Sequence, residues 1–330
     1  MTSLAVRSPN LTLRVRPFVA AGWICLLAVT SGYRLIGGGV DNDAYVAFYA
    51  ALSRSAPFFQ VRFEPGFVLL AWLFKFWLHW SYSAYLTALV AVSLTLKFRL
   101  FSKHTSAPGF ASLCYVIMLY PLQEYGQIRA AIGIAFAFTA VDCMLDRRWL
   151  LALLATLTGI MFHLTAIVPV MAAVVILWTS RKSTLSVLVV LGAAFLIVGA
   201  VIKNYADILA LLNPVSTSDL NSTGGALNTH LLQSVVVLGV MLISAVTYAP
   251  WRRDDDNMFF CFSFCSVAAL VGFGTNTVFA IRTSELFLMS LFLYPFRLNA
   301  LHESRLPSLL VFANGAAVLL GQIGKGQIAF

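Results

Sequence analysis

Eleven stretches of this chain run with hardly a charge for most of the length needed to cross a bilayer, and no other feature restricts the fold as strongly. A helix rises 1.5 Å per residue, so about 20 apolar residues span a hydrocarbon layer of about 30 Å. The stretches are 17–36, 82–101, 109–122, 130–145, 149–162, 164–179, 185–202, 231–249, 258–273, 284–298 and 306–322. With 60% hydrophobic residues, 11% charged residues and a mean hydropathy of +0.87, a water-soluble fold of 330 residues is excluded. The expected architecture is all-α, a polytopic transmembrane helical bundle forming one integral membrane domain over residues 1–330. The first apolar run follows Arg7, Arg14 and Arg16 but ends in Tyr33-Arg34 without a small-residue cleavage site, so it is expected to stay as a first helix. Five cysteines, Cys25, Cys114, Cys143, Cys261 and Cys265, lie in apolar segments without metal-ligand spacing and are expected to be small packing residues.

Residues 66–80, GFVLLAWLFKFWLHW, decide the topology. They contain Lys75 and His79 and offer only about 13 clean helical residues, roughly 20 Å, which is short for a crossing. If they enter and leave on one face, eight of the 22 basic residues lie outside: Arg34, Arg54, Arg62, Lys75, Arg129, Lys203, Arg282 and Lys325. The other fourteen, Lys97 among them, are then cytoplasmic. If 66–80 crosses, the positive-inside rule is broken at nearly every later loop. The expectation is therefore about eleven spans plus a re-entrant or interfacial helix in the first outer loop. The N-terminus is cytoplasmic, and the outer face carries loops 37–81 and 203–230 and the connections 123–129 and 274–283. The net charge of +9 is then explained by topology rather than by nucleic acid. No GxxxxGK[ST] or strand-linked GxGxxG is present, which argues against ATP or a cytosolic nucleotide donor.

Charged residues at span ends on one face are expensive unless they serve a substrate path. Asp41 and Asp43 suit the cap and first turn of an interfacial helix bearing Tyr45, Phe48 and Tyr49, and are also candidate bases. Glu64-Pro65-Gly66 puts a carboxylate at the start of the short helix, with Arg62 two residues earlier. Glu64 is the favoured general base, because an apolar helix behind it is expected to desolvate the carboxylate and raise its pKa. Arg129 opens a span where a helix N-terminus would favour an acid, so it needs an anion: a ligand, Glu64 or Glu124. Arg282 precedes the 284–298 span and can meet a ligand or pair with Glu285. His163 closes a span, either as a packing residue or as a base.

These residues fall in an order. Gly39, Asp41 and Tyr45 come first, then Glu64, Pro65 and Gly66, then Gln127, Ile128, Arg129, Ala131 and Ile132. Phe162, His163, Thr165 and Ala166 follow, and Arg282 comes late. Over nearly the whole chain this order resembles the EpsG family of exopolysaccharide-assembly proteins, relatives of Wzy-type polymerases. Asn42, where an aromatic is common, and Thr165, where serine is common, depart from the pattern.

The resemblance implies a glycosyltransferase that joins undecaprenyl-diphosphate-linked oligosaccharide repeat units on the periplasmic face of the bacterial inner membrane. It implies Glu64, Asp41, Asp43 and His163 as catalytic candidates. Arg129, Arg282, Arg62, Tyr45 and Gln127 are the candidate substrate contacts. A chain-length regulator and a flippase are the partner proteins it suggests, beside membrane lipid. No cofactor is expected; Asp41-Asn42-Asp43 also looks like the acidic motif of C-type membrane glycosyltransferases, some of which use a divalent metal, but no spacing indicates one here. Arginine forks suit a diphosphate leaving group, whose charge grows in the transition state. The alternatives are an acyltransferase with His163 as base, which lacks a second intramembrane histidine, and a lipid-linked oligosaccharide flippase, whose cations would line the full membrane depth.

Overall fold

The computed structural model describes residues 17–35, 41–54, 63–179, 184–204, 239–240, 254–273, 277–296 and 306–324. Arg62 and, apart from residues 239–240, the expected span 231–249 lie outside the described residues. All regular elements among the described residues are helical. They are α1 (Pro17–Gly32), α2 (Asn42–Ala51), α3 (Pro65–Phe76), α4 (Tyr82–His104) and α5 (Pro108–Met118). After a π-helical turn at Pro121–Gly126 come α6 (Ile128–Leu145), α7 (Trp149–Phe162), a 3-10 turn at Leu164–Ala166, α8 (Ile167–Thr179) and α9 (Thr184–Asn204). The last are α10 (Asp254–Gly272), α11 (Thr277–Leu288) with a 3-10 turn at Met289–Phe292, and α12 (Leu306–Gly324).

Two of these, α4 and α6, are long and apolar enough to cross a membrane. The outward faces are apolar as well: on α7, Leu150, Leu153, Leu154 and Leu157 are all at least half exposed. A water-soluble protein would bury such a stripe; a helix facing lipid presents it. Inside, α6 packs along α7, α1 along α4, and α10 between α9 and α11. The α6–α7 contact is close because it is lined by small residues, which is how helices approach without a hydrophobic drive between them. A Cβ on Gly133 would sit 2.8 Å from the Cβ of His163.

The register of α4 and α6 sets the depth of the site. Ser93 Oγ lies 3.2 Å from the Ala131 carbonyl oxygen, and His104 Nε2 lies 2.6 Å from Asp142 Oδ1, pairs with the same offset of 38. The two helices therefore run parallel in step, and α6 starts about eight residues, or roughly 12 Å, below the start of α4. The cause is α5. Its 11 residues rise only about 16 Å before Pro121 breaks the chain, so the turn and the first residues of α6 stay inside the bundle. The expected 109–122 span is thus shorter than its apolar run.

The space above α6 is filled by α2 and α3. Tyr45, Phe48, Phe63 and Phe67 pack ring against ring, with centroids 4.8–5.7 Å apart. Tyr85 donates to the Phe67 carbonyl at 2.9 Å and ties α3 to α4. Lys75 takes the last carbonyls of α2, donating to Tyr49, Ala50 and Leu52 at 2.6, 2.9 and 2.8 Å, a C-terminal cap supplied by a neighbouring helix. At its start, α3 touches the end of α7, where a Cβ on Gly66 would come 2.8 Å from the Met161 carbonyl oxygen. At its end the chain turns through Trp80 into α4, whose cap is Ser81, accepting from Ala84 N at 3.3 Å. The start of α3 thus lies beside the end of α7, and its end leads directly into the start of α4.

Candidate active site

Four elements aim polar side chains into a cleft of about 40 Å³ at the recessed start of α6. Arg129 stands in the first turn of α6 and His163 at the extended residue where α7 gives way to a 3-10 turn (φ −159°, ψ 113°). Asp41 and Tyr45 come from α2, and Arg282 from α11. Glu64, at the cap position of α3, completes the group from beside the cleft. The residues form a continuous chain of contacts. Tyr45 Oη donates to Asp41 Oδ2 at 3.4 Å and accepts from Arg129 Nε at 3.3 Å. Arg129 Nη1 donates to Glu64 Oε2, and Glu64 Oε1 lies 3.2 Å from His163 Nδ1. The guanidinium is further held over the rings of Phe63 and Tyr45, at 4.7 and 5.6 Å from their centroids.

Electrostatics gives these contacts a direction. Burial pushes the Glu64 carboxyl up, but the hydrogen bond from His163 and the charge of Arg129 outweigh it, and the group lies below its ordinary value. Glu64 is therefore a carboxylate with no proton to give, so the shared proton sits on His163 Nδ1 and the basic nitrogen is Nε2. For Tyr45 burial dominates and raises the phenol above its usual 10.0, which keeps it a neutral bridge. The arrangement can hold an anion at guanidinium groups and accept a proton at an oriented imidazole, from positions fixed by four different elements.

The sequence profile of the EpsG family matches residues 22–316. The chain belongs to the EpsG family. It is also similar to the amylovoran biosynthesis protein AmsC of Erwinia amylovora, at 25% identity over 79% of this chain and 73% of that protein. No solved structure matches it.

In this EpsG-family chain the structure brings Asp41, Tyr45, Gln127, Arg129, His163 and Arg282 to one cleft, with Glu64 joined to it through Arg129 and His163. Asp43 is not among them; it lies exposed in the first turn of α2. Asp41 occupies the cap position but makes no capping bond, its carboxylate being turned to Tyr45. The expected rise in the Glu64 pKa is reversed, because the fold sets a hydrogen bond from His163 and the charge of Arg129 against the desolvation. Of the anions open to Arg129, Glu64 is the one it meets. Arg282, expected in a connection before its span, stands within α11, since the helix begins at Thr277.

Two further expectations fail on depth. Lys97, counted as cytoplasmic, and Glu124, counted with an outer connection, meet in the interior at 2.6 Å with both side chains fully buried. His104 is likewise buried, against Asp142. Cys25 is exposed rather than packed, whereas Cys114, Cys261 and Cys265 are buried. Gln123 and Glu285 line the cleft and were missed as site residues. The signal for Gln123 is a polar Gln-Glu pair two residues after Pro121, at the end of an apolar run, with a lysine, Lys97, inside the preceding apolar span.

Proposed function

We propose that this protein is a membrane glycosyltransferase of exopolysaccharide biosynthesis that polymerises lipid-linked repeat units. Its donor is a growing glycan on undecaprenyl diphosphate, its acceptor the terminal sugar of another such unit, and its site opens on the periplasmic face of the inner membrane. The observation that carries this reading is the convergence of Arg129, Arg282, His163 and Asp41 on one recess below the outer end of α4. Membership in the EpsG family and the likeness to an amylovoran biosynthesis protein support the biosynthetic setting.

The reaction follows from the groups present. An acceptor hydroxyl attacks the anomeric carbon of the donor, the bond from that carbon to the diphosphate oxygen breaks, and the electron pair leaves with undecaprenyl diphosphate. The hydroxyl proton passes to His163 Nε2, and Glu64 steadies the imidazolium so formed through Nδ1. Arg129 and Arg282 meet the charge that grows on the leaving diphosphate. An acyl transfer could use the same histidine; two arginines in one cleft favour the diphosphate. The recess suits a substrate whose polyprenyl tail stays in the outer leaflet while its headgroup enters between α2, α6 and α11. About eleven spans and a re-entrant or interfacial α3 are part of the proposal, supported by the length of α3, 12 residues, which is short for a crossing. The test is to supply purified protein with an undecaprenyl-diphosphate-linked repeat unit and to follow a ladder of longer glycans. Release of single repeat units without elongation would refute polymerisation.

A further inference from the structure

Behind the cleft lies a buried polar network in which nearly every hydrogen-bonding group is accounted for. The Lys97 ammonium directs its three protons to Tyr115 Oη at 2.7 Å, Gln123 Oε1 at 2.9 Å and Glu124 Oε1 at 2.6 Å. Tyr115 donates onward to Glu124 Oε2, and Ser93 donates to Glu124 Oε1 at 2.9 Å. One group is left over. Gln123 is 2% exposed, it lines the cleft, and its Nε2 has no acceptor among the described residues. A buried donor left without an acceptor is costly enough to need a reason.

The orientation of that amide is chemically forced. An ammonium donates and cannot accept, so the amide atom facing Lys97 must be the carbonyl oxygen, which leaves the NH₂ as the free donor of a residue that lines the cleft. Lys97 is in turn pinned by Glu124. The network thus presents one fixed donor beside the two arginines. Asp41 and Glu285 line the same cleft and can accept from hydroxyls. That mixture, donors for an anion next to acceptors for hydroxyls, matches a sugar joined to phosphate rather than a bare anion.

We propose that Gln123 is a substrate-binding residue whose Nε2 donates to a phosphate oxygen of the ligand, with Lys97 and Glu124 as the positioning pair that aims it. The proposal rests on the reading of the cleft as a glycosyl-diphosphate site and adds a third donor to it. Binding of undecaprenyl diphosphate in lipid nanodiscs and of inorganic diphosphate would be measured for the wild type, Gln123→Met and Gln123→Glu. A hydrogen bond to a charged acceptor corresponds to roughly a ten- to hundredfold loss of affinity when removed. Both variants are expected to show it, the glutamate the larger loss because it adds a like charge. Gln123→Glu also keeps its bond to Lys97, so it still reports on the ligand should the methionine variant fold poorly.

Loss with both probes supports a donor to any diphosphate, and loss with the lipid probe alone assigns it to the lipid headgroup. Affinities within twofold of wild type for Gln123→Glu overturn the inference and leave the proposed function standing. A wild type that binds neither probe overturns both.

Discussion

Glu64→Gln is the substitution that best separates base, positioning group and ion-pair partner. Glu64 carries two charge-assisted contacts, to Arg129 and to His163. Glutamine keeps the shape and removes the charge, and its NH₂ cannot accept from Nδ1–H. Losing one such bond costs about 1.5–3 kcal/mol, so failure to steady the imidazolium alone slows turnover roughly ten- to hundredfold. Loss of the tautomer as well moves the effect toward the 10²–10⁴-fold range of a positioned base. Binding is expected to hold, because Arg129 then meets the diphosphate with its charge no longer neutralised. The assay is single-turnover glycan transfer in nanodiscs, with lipid-diphosphate binding measured in parallel, on Glu64→Gln, His163→Gln and the double variant. Two residues acting as one unit give a double variant no slower than His163→Gln alone. Multiplying losses, or lost binding with unchanged turnover of what is bound, would refute the dyad. Stability offers an independent check: a carboxyl held below its ordinary 4.5 stabilises fully above that pH and loses the contribution as pH falls through its lower folded value. Glu64→Gln is therefore expected to flatten the acid limb of the Tm profile.

Arg129→Lys should lose at least tenfold in transfer while the protein still inserts, since one ammonium cannot replace a guanidinium that holds Glu64 and Tyr45 and grips phosphate; normal chain length would reduce Arg129 to a structural partner. Gly66→Ala drives a Cβ against the Met161 backbone and must displace the start of α3 and Glu64 with it, so a lower Tm, by the equivalent of about 1–3 kcal/mol, and reduced transfer are expected together; an unchanged Tm would show that the α3–α7 contact is looser than drawn. Reporter fusions after Asn204 and after Asp254 should report periplasm and cytoplasm respectively, and the reverse pair would sink the topology.

The all-helical class was legible because apolar run length is a one-dimensional property. The site was legible in part, for the same reason: Arg129, His163 and Arg282 stood out as charges or titratable groups at the edges of apolar runs. What could not be read was depth. Lys97 sits seven residues before the end of α4, a position that charge counting assigns to a face, and only the early end of α5 shows that a partner waits inside the bundle. Glu64 was misjudged for a related reason. Its burial followed from the apolar helix behind it, but the sign of its pKa shift depends on Arg129 and His163, which lie 65 and 99 residues away. Asp41 shows the same limit at short range, since the cap position was correct and the direction of the side chain was not.

The break between α5 and α6 is what makes a recessed site possible, and it explains why a charged pair is kept in the interior. Non-helical backbone at membrane depth is tolerated only where protein covers it or it lines a cavity. Here α1 and α4 do the covering. Ser31 Oγ donates to the Glu124 carbonyl at 2.8 Å, Tyr120 Oη donates across to the Leu27 carbonyl at 2.6 Å, and Arg34 donates to the Tyr125 carbonyl. A buried ion pair such as Lys97–Glu124 gives little net stability over an apolar pair of the same volume, so stability is a poor reason for it. It does fix the break in one register. Glu124 is tied through Lys97 to α4, and Gln123, one residue before that anchor, and Gln127, three residues after it, both line the cleft. Shifting the turn by one residue would take Gln123 away from Lys97 and rotate Arg129 away from Glu64. The pair and the first helix therefore belong to the architecture of the site, although neither touches the cleft.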